Sequence, residues 1–380
     1  MGKTGVKSIG IVTPFIREGD DIVKIVVDSV LDATRLGEKM RQPAPNVKGL
    51  VRIEGEYEYD INDNDVIGIT ESVVARSSGL YVTVDDIAMD ILNKFGTNSE
   101  LIIDSPIYSR NRFAMILKGI ARAARKLYFV MPPFDEVGNP SGVNPFTGVD
   151  IQKYYKEICD SENCMSIFGE SLYDVTKNMS DYDINNCGWI YCGLHDCKEW
   201  KEKTAGEKRV TLADICSDKN PDFGLLGCNK STEERLKLFP TVKLSEDVCY
   251  AVKEEIKKRT GKEVHVLVYG DGCFHSPELE GVHGSSIWEF ADPVTVPGST
   301  HGILDGSPNE TKLKAIIDSS ASDAEVRKMV GMNKSRKLVG KMAAMGTTPR
   351  KYTDLLASLM DLTSGSGDRA TPVVLVQNYF

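Results

Sequence analysis

The sequence predicts a mixed α/β protein, and three observations predict it. Short β-branched runs alternate with stretches of helical periodicity: a strand at 66–70, a helix after Thr83, a strand at 101–107, a basic amphipathic helix reaching Lys126 and a strand at 127–131. Two further runs, Val264-His265-Val266-Leu267-Val268-Tyr269, apolar but for His265, and Val373-Val374-Leu375-Val376, read as buried strands. Turns rich in glycine, hydroxyls and acids follow several strands directly, and α/β proteins gather ligands outside the carboxyl ends of strands.

The first turn is Thr13-Pro14-Phe15-Ile16-Arg17-Glu18-Gly19-Asp20-Asp21. Asp20 or Asp21 can cap the helix that follows, whose apolar face is Ile22, Ile25, Val26, Val30 and Ala33. Residues 41–49 read as a loop, with a strand at 50–54. Asp60, Asn62 and Asn64, with Glu71 in the twelfth position, imitate a calcium loop; Asp65 stands where that loop needs a sixth-position glycine, and the flanks read as strands. Thr70, Glu71, Ser72 and Arg76 then follow a strand end, either as a polar turn or as a ligand loop. Thr83 caps the next helix, with Asp86 in its first turn and Ile87, Ile91, Leu92 and Phe95 on one face. Ser109, Arg110, Asn111 and Arg112 open a further helix, a start suited to an anion or simply a solvated helix end.

Residues 141–240 differ in character, being dense in cysteine, asparagine and charge. Cys187, Cys192, His195 and Cys197 have a spacing that matches no common structural zinc pattern, so buried thiols are the expectation. Residues 223–230 form a ligand loop or a turn. Ser245 is read as the cap of a helix carrying Val248, Ala251, Val252 and Ile256, which Gly261 stops. The strand before Gly270 delivers Asp271 to its carboxyl end between two glycines, which makes Asp271 the best metal-ligand candidate, with an Asp-Gly turn as the alternative. A long irregular loop over 292–308 precedes helices near 309–317 and 322–330. A last helix places Leu355, Leu356, Leu359 and Met360 at helical spacing, and Gly365, Ser366, Gly367 and Asp368 lead to the final strand as a phosphate cradle or a turn.

With 380 residues the chain can hold two or three domains, and 41% apolar residues suit a folded protein. A net charge of −9, from 46 basic and 55 acidic residues, leaves no basic footprint for nucleic acid. No apolar run approaches the roughly 18 residues needed to span a membrane. Without a secretory h-region, the nine cysteines are expected to be free thiols in a reducing cytoplasm.

Taken together, several segments resemble the coenzyme F420-0:L-glutamate ligase family, the γ-glutamyl ligases, and most closely its longer bacterial branch. The resemblance rests on residues 13–21, 65–76, Pro132-Pro133, 261–271 and the glycine loop before the last strand; residues 109–113, 224–230, 346–350 and 362–368 suggest the branch. It implies two lobes of mixed sheet with flanking helices, with 1–140 and 241–380 forming the ligase core and 141–240 an inserted α/β segment. It implies a GTP-dependent ligase that uses magnesium or manganese and joins L-glutamate to an acidic small molecule such as F420-0, and a homodimer with no membrane partner. The alternatives are a nucleotide-binding module without ligase activity, a ligase for a folate-like acceptor, or a metal-dependent phosphohydrolase.

By the same resemblance, Thr13, Pro14, Phe15, Ile16, Thr70, Glu71, Ser72, Arg76, Asn111 and the loop Gly365, Ser366, Gly367 and Asp368 contact nucleotide. Arg76, Arg112 and Asp271 are the catalytic candidates, with Arg110 and Arg350 as further cations for acidic groups. Asp271, Asp361 and Glu71 are the candidate metal ligands. The family's Asp-Thr-Asn-Gly segment is Tyr269-Gly270-Asp271-Gly272 here. The glutamate of its glycine loop is absent, which leaves Asp361 as the nearest carboxylate.

Overall fold

A computed structural model describes residues 5–34, 59–110, 112–135, 139–144, 147–193, 208–270, 322, 325, 352–364 and 371–379. The strand expected at 50–54 and the helix expected at 309–317 lie outside these residues, as does nearly all of 322–330. The chain divides into two compact units, Met1–Ser78 with Val242–Phe380, and Gly79–Thr241.

The first unit is built on a four-stranded sheet in the order β1 (Lys7–Ile11), β12 (Val373–Gln377), β2 (Val66–Thr70), β11 (His265–Tyr269). β12 runs antiparallel to β1 and β2, whereas β2 and β11 are parallel. The last strand is therefore central, which explains its unbroken apolar run. Val373, Val374, Leu375 and Val376 are all fully buried, and each such side chain contributes about 1.5–3 kcal/mol.

Three helices cover this sheet. α1 (Ile22–Asp32) is capped by Asp21, whose carboxylate accepts the Lys24 amide at 2.9 Å. Asp20 instead accepts the Arg17 amide at 2.7 Å, tightening the preceding turn. α8 (Val242–Thr260) packs on β11 and on α1, to which the Arg259–Asp28 ion pair also ties it at 2.6 Å. Ser245, the expected cap, lies one turn inside this helix and is buried; the helix starts earlier because Val242 and Leu244 extend its pattern beyond the serine. α9 (Tyr352–Ser364) lies on the face to which Gly68 turns. A Cβ at Gly68 would overlap the Met360 sulfur, so the glycine is what lets the helix approach the β2 backbone.

The second unit holds a parallel sheet in the order β6 (Met165–Gly169), β5 (Lys126–Val130), β4 (Glu100–Asp104), β7 (Gly188–Tyr191), β8 (Arg209–Thr211). The strand order reverses between β4 and β7. One face packs Phe113 of α4 (Phe113–Ala123) and Tyr155 of α5 (Ile151–Ser161), whose rings are 5.4 Å apart. The other face buries Ile102, Tyr128 and Cys187 with Val175 of α6 (Leu172–Thr176). α7 (Asp181–Asn186) precedes β7. Because β4 and β5 pair with β6 and β7, this sheet runs across residue 140, and the compact unit begins at Gly79 rather than at the change in composition.

A three-stranded antiparallel sheet, β3 (Tyr81–Thr83), β10 (Arg235–Leu238), β9 (Cys228–Thr232), completes the unit. Thr83 and Asp86 form a capping box at the start of α3 (Val84–Phe95), as their spacing predicts. β4 ends at Asp104, short of the expected 107, because Ser105 takes a left-handed backbone at φ 50°. Residues 223–230 are a turn and the start of β9: Gly224 sits at φ 50°, where a Cβ would strike the Ala213 and Ile215 carbonyls.

Candidate functional site

The register of the first unit's sheet brings four distant segments to one end. Ile11 lies beside Val373, Val373 beside Ile69, and Ile69 beside Val268. The residues next in line at that end are the turn after β1, Thr70 and Glu71 after β2, Tyr269 and Gly270 of and after β11, and Thr371 and Pro372 before β12. A bond from the Thr70 amide to the Pro372 carbonyl, at 2.9 Å, closes the row. The end of α9 joins it, since Thr371 Oγ1 donates to the Ser364 carbonyl at 2.9 Å.

Glu71 is the most informative side chain here. It is the first residue of α2 (Glu71–Ser77), a helix capped by Thr70 Oγ1 accepting the Ser72 amide at 3.1 Å. Although a carboxylate, it is only 7% exposed. A Cβ on Gly270 would overlap its Cδ, so the Glu71 side chain lies directly over the backbone that leads to Asp271. Glycine at 270 is therefore a matter of space, with no turn geometry needed. Asp271 itself lies outside the described residues, as do Asn111, Arg350 and the loop Gly365, Ser366, Gly367 and Asp368.

Tyr269 was not singled out by its sequence context, yet it is buried at the same end, and its hydroxyl makes no hydrogen bond. Burial pushes that phenol well above its usual range. The Asp361 carboxylate raises it further, and the adjacent Ser364 hydroxyl opposes the rise. Asp361 is thus placed beside Tyr269, and Ser364 Oγ donates to the Asp361 carbonyl at 3.1 Å. A pattern of apolar residues running into a tyrosine gave no sign of this, since the same pattern fits any buried strand end.

The turn after β1 has two parts. Thr13 is half-buried and Pro14 exposed; Phe15 is 77% exposed, while Ile16, at 4%, belongs to the core. Gly19, at φ 86°, donates its amide to the Ser77 carbonyl at 2.8 Å, which anchors this turn on α2. Arg76 is exposed in the last turn of α2.

Arg112 belongs to the second unit. It stands before α4, donates to the Leu226 carbonyl and lies beside the buried Cys228 thiol, so the structure gives it a scaffolding bond. Cys187 and Cys192 are buried free thiols, and His195 and Cys197 fall outside the described residues. The calcium-like segment is structural: Asp65 accepts the Asn62 amide at 2.8 Å and the Gln377 amide at 2.6 Å, and Asp63 accepts the Glu263 amide at 2.9 Å. Glu71 lies at the opposite end of β2 from Asp65. Among the described residues no three His, Cys, Asp or Glu side chains form a metal cluster. The hard carboxylate oxygens of Glu71, packed on Gly270, and of Asp361, beside Tyr269, nevertheless suit a magnesium or manganese ion in their chemistry.

The sequence profile of the family described as F420-0:Gamma-glutamyl ligase matches residues 10–378, and the chain belongs to that family. A mouse (Mus musculus) protein, "Ciliary-associated calcium-binding coiled-coil protein 1", is 23% identical over 142 residues, 36% of this chain. The chain spans 66% of the length of that relative. Among the described residues no helix is long and apolar enough to cross a membrane.

Proposed function

We propose that the protein is a GTP-dependent γ-glutamyl ligase that joins L-glutamate to an acidic acceptor of the F420-0 kind through an acyl phosphate. The family match over residues 10–378 supports the ligase class. The observation that carries the site is the single row of the first unit, which collects the turn after β1, Thr70–Glu71, Gly270 and the end of α9.

In this reading an acceptor carboxylate oxygen attacks the γ-phosphorus, the bond to the bridging oxygen breaks, and GDP leaves. The glutamate amine then attacks the acyl carbon, inorganic phosphate leaves, and the nitrogen gives up a proton as the amide forms. Such chemistry depends on alignment and charge neutralisation more than on a protein nucleophile. Glu71 and Asp361, with Asp271, would hold a divalent cation, which when bound would neutralise phosphate charge. Thr70 and Ser72 place hydroxyls at the same sheet end. Thr13, Pro14 and Phe15 form an adjacent wall for the nucleotide, and Arg76 offers an exposed cation for an acidic group. The glycine loop at 365–368 is assigned to the phosphates by its resemblance to the family. A homodimer is part of the same proposal.

The test is GDP release by the full chain with GTP, magnesium, L-glutamate and F420-0. Release that requires both acceptor and glutamate supports the assignment. Glutamate-independent phosphate release would point to a phosphohydrolase, and no nucleotide turnover with any acid and amine pair would contradict the ligase.

A further inference from the structure

The parallel sheet of the second unit opens a polar cleft of about 580 Å³ at the amino ends of its strands. Ser99 and Glu100 enter it from β4, Lys126 from β5, Cys187 and Gly188 from β7, and Lys208 from just before β8. All belong to the compact unit Gly79–Thr241. Catalytic groups of α/β proteins gather at the carboxyl ends of strands, so a cleft at the amino ends is placed for binding rather than for chemistry. Its volume is in the range of small-molecule sites.

The charges in the cleft are unevenly matched. Glu100 is taken by Arg125 and by the Tyr128 hydroxyl at 2.7 Å. Asp183 accepts the Ser180 hydroxyl at 2.7 Å. Lys126 lies over the Tyr128 ring, 4.7 Å from its centre, and among the described residues neither Lys126 nor Lys208 has an ion-pair partner. Among the described residues Ser99 Oγ, sealed from solvent, has no hydrogen-bond partner, a costly state for a hydroxyl. The buried Cys187 thiol registers how closely these groups converge. Burial first, then Glu100 and Asp183, push it up to about 11, while Lys126 and Lys208 oppose them.

We propose that this cleft binds a small acidic molecule, whose carboxylate or phosphate oxygens are held by the Lys126 and Lys208 ammonium groups. Ammonium groups act as compact point charges and accept either oxyanion. Asn98 and Asn178, also in the lining, offer amides to the polar remainder of the ligand. This site is independent of the ligase reading, because it uses none of the residues assigned there.

The test follows backbone amides of the full chain by two-dimensional NMR at constant ionic strength. Inorganic phosphate is titrated in one series and glutarate, a simple dicarboxylate, in another. Saturable shifts at Asn98, Ser99 and Gly188 are expected with at least one probe, and the probe that binds more tightly identifies the oxyanion. In the Lys126→Gln/Lys208→Gln double variant, binding is expected to weaken about tenfold or more. The charge-preserving Lys126→Arg/Lys208→Arg variant should retain it. No saturable shift with either probe at millimolar concentration overturns the proposal, and so does equal binding by the glutamine variant. The wild-type titration decides the matter alone if that variant fails to fold.

Discussion

The two units use charge in opposite ways. In the second unit the cations of the scaffold are engaged: Arg122 pairs with Glu162 at 2.9 Å and Asp85 at 2.7 Å, Arg125 with Glu100, and Arg112 with the Leu226 carbonyl. In the first unit the functional sheet end carries acids instead, Glu71 under cover of Gly270 and Asp361 beside Tyr269. The second unit's arrangement holds elements together, whereas the first unit gathers carboxylates at one sheet end. Residue type alone therefore misleads, since an arginine at a helix start resembles an anion site in either setting.

The sharpest way to break this contrast is Gly270→Ala. The added Cβ overlaps Glu71, so catalysis is expected to fall about 10²–10³-fold, the scale of losing a preorganised electrostatic group. Steady-state GDP release measures it, and wild-type turnover would show that the contact is irrelevant. Glu71→Gln keeps the shape and removes the charge. A loss of about 10²-fold is expected, with the melting temperature nearly unchanged; an equally large fall in stability would make Glu71 a structural residue.

Arg112→Ala probes the other side. It strands a backbone carbonyl, at a cost of about 1–3 kcal/mol in denaturant unfolding, while the KM for GTP stays the same. A raised KM with intact stability would return Arg112 to the site. Asp65 gives a smaller, pH-dependent effect. Burial holds its carboxyl above the usual value, so the folded chain keeps this proton more tightly than the unfolded one. Its contribution is greatest at acid pH, below the unfolded value, and is lost as pH rises through the raised folded value. Asp65→Asn, which can still accept from Asn62 and Gln377, should stabilise the protein at neutral pH, with the gain vanishing in acid. A loss of stability at neutral pH would show that the charge is needed there. Smallest of all, Tyr269→Phe removes a buried hydroxyl that makes no hydrogen bond, and its stability should move by less than about 1 kcal/mol. A larger loss would reveal a bond from Tyr269 to Ser364 or Asp361.

Much of the fold was legible because the pattern leaves few alternatives. β2, β11 and β12 are mostly apolar, as buried strands must be, and the Thr83–Asp86 box and the Asp21 cap are local signals read over three residues. Ser245 shows the limit of such signals: a good capping residue does not begin a helix when the residues before it can extend it. The order β6-β5-β4-β7-β8 was not legible, because a change in composition at 141 says nothing about which strands pair across it. Of the candidate site, the turn after β1, Thr70 and Glu71 could be read from the sequence as polar groups at strand ends, whereas Asp361 came only from the resemblance to the family. The packing of Glu71 on Gly270 was not, since it arises from a parallel pairing between strands distant in the chain. The bond from Arg112 to the Leu226 carbonyl was not legible either, because no motif encodes a backbone partner.

The central claim is that the first unit's sheet end binds nucleotide with a divalent cation through Glu71. Calorimetric titration of GTP into the full chain with magnesium, repeated with Glu71→Gln, tests it most directly. The account predicts saturable binding by the wild type, weakened about tenfold or more by the substitution in magnesium. Absence of GTP binding, or equal affinity in the two proteins, would contradict it.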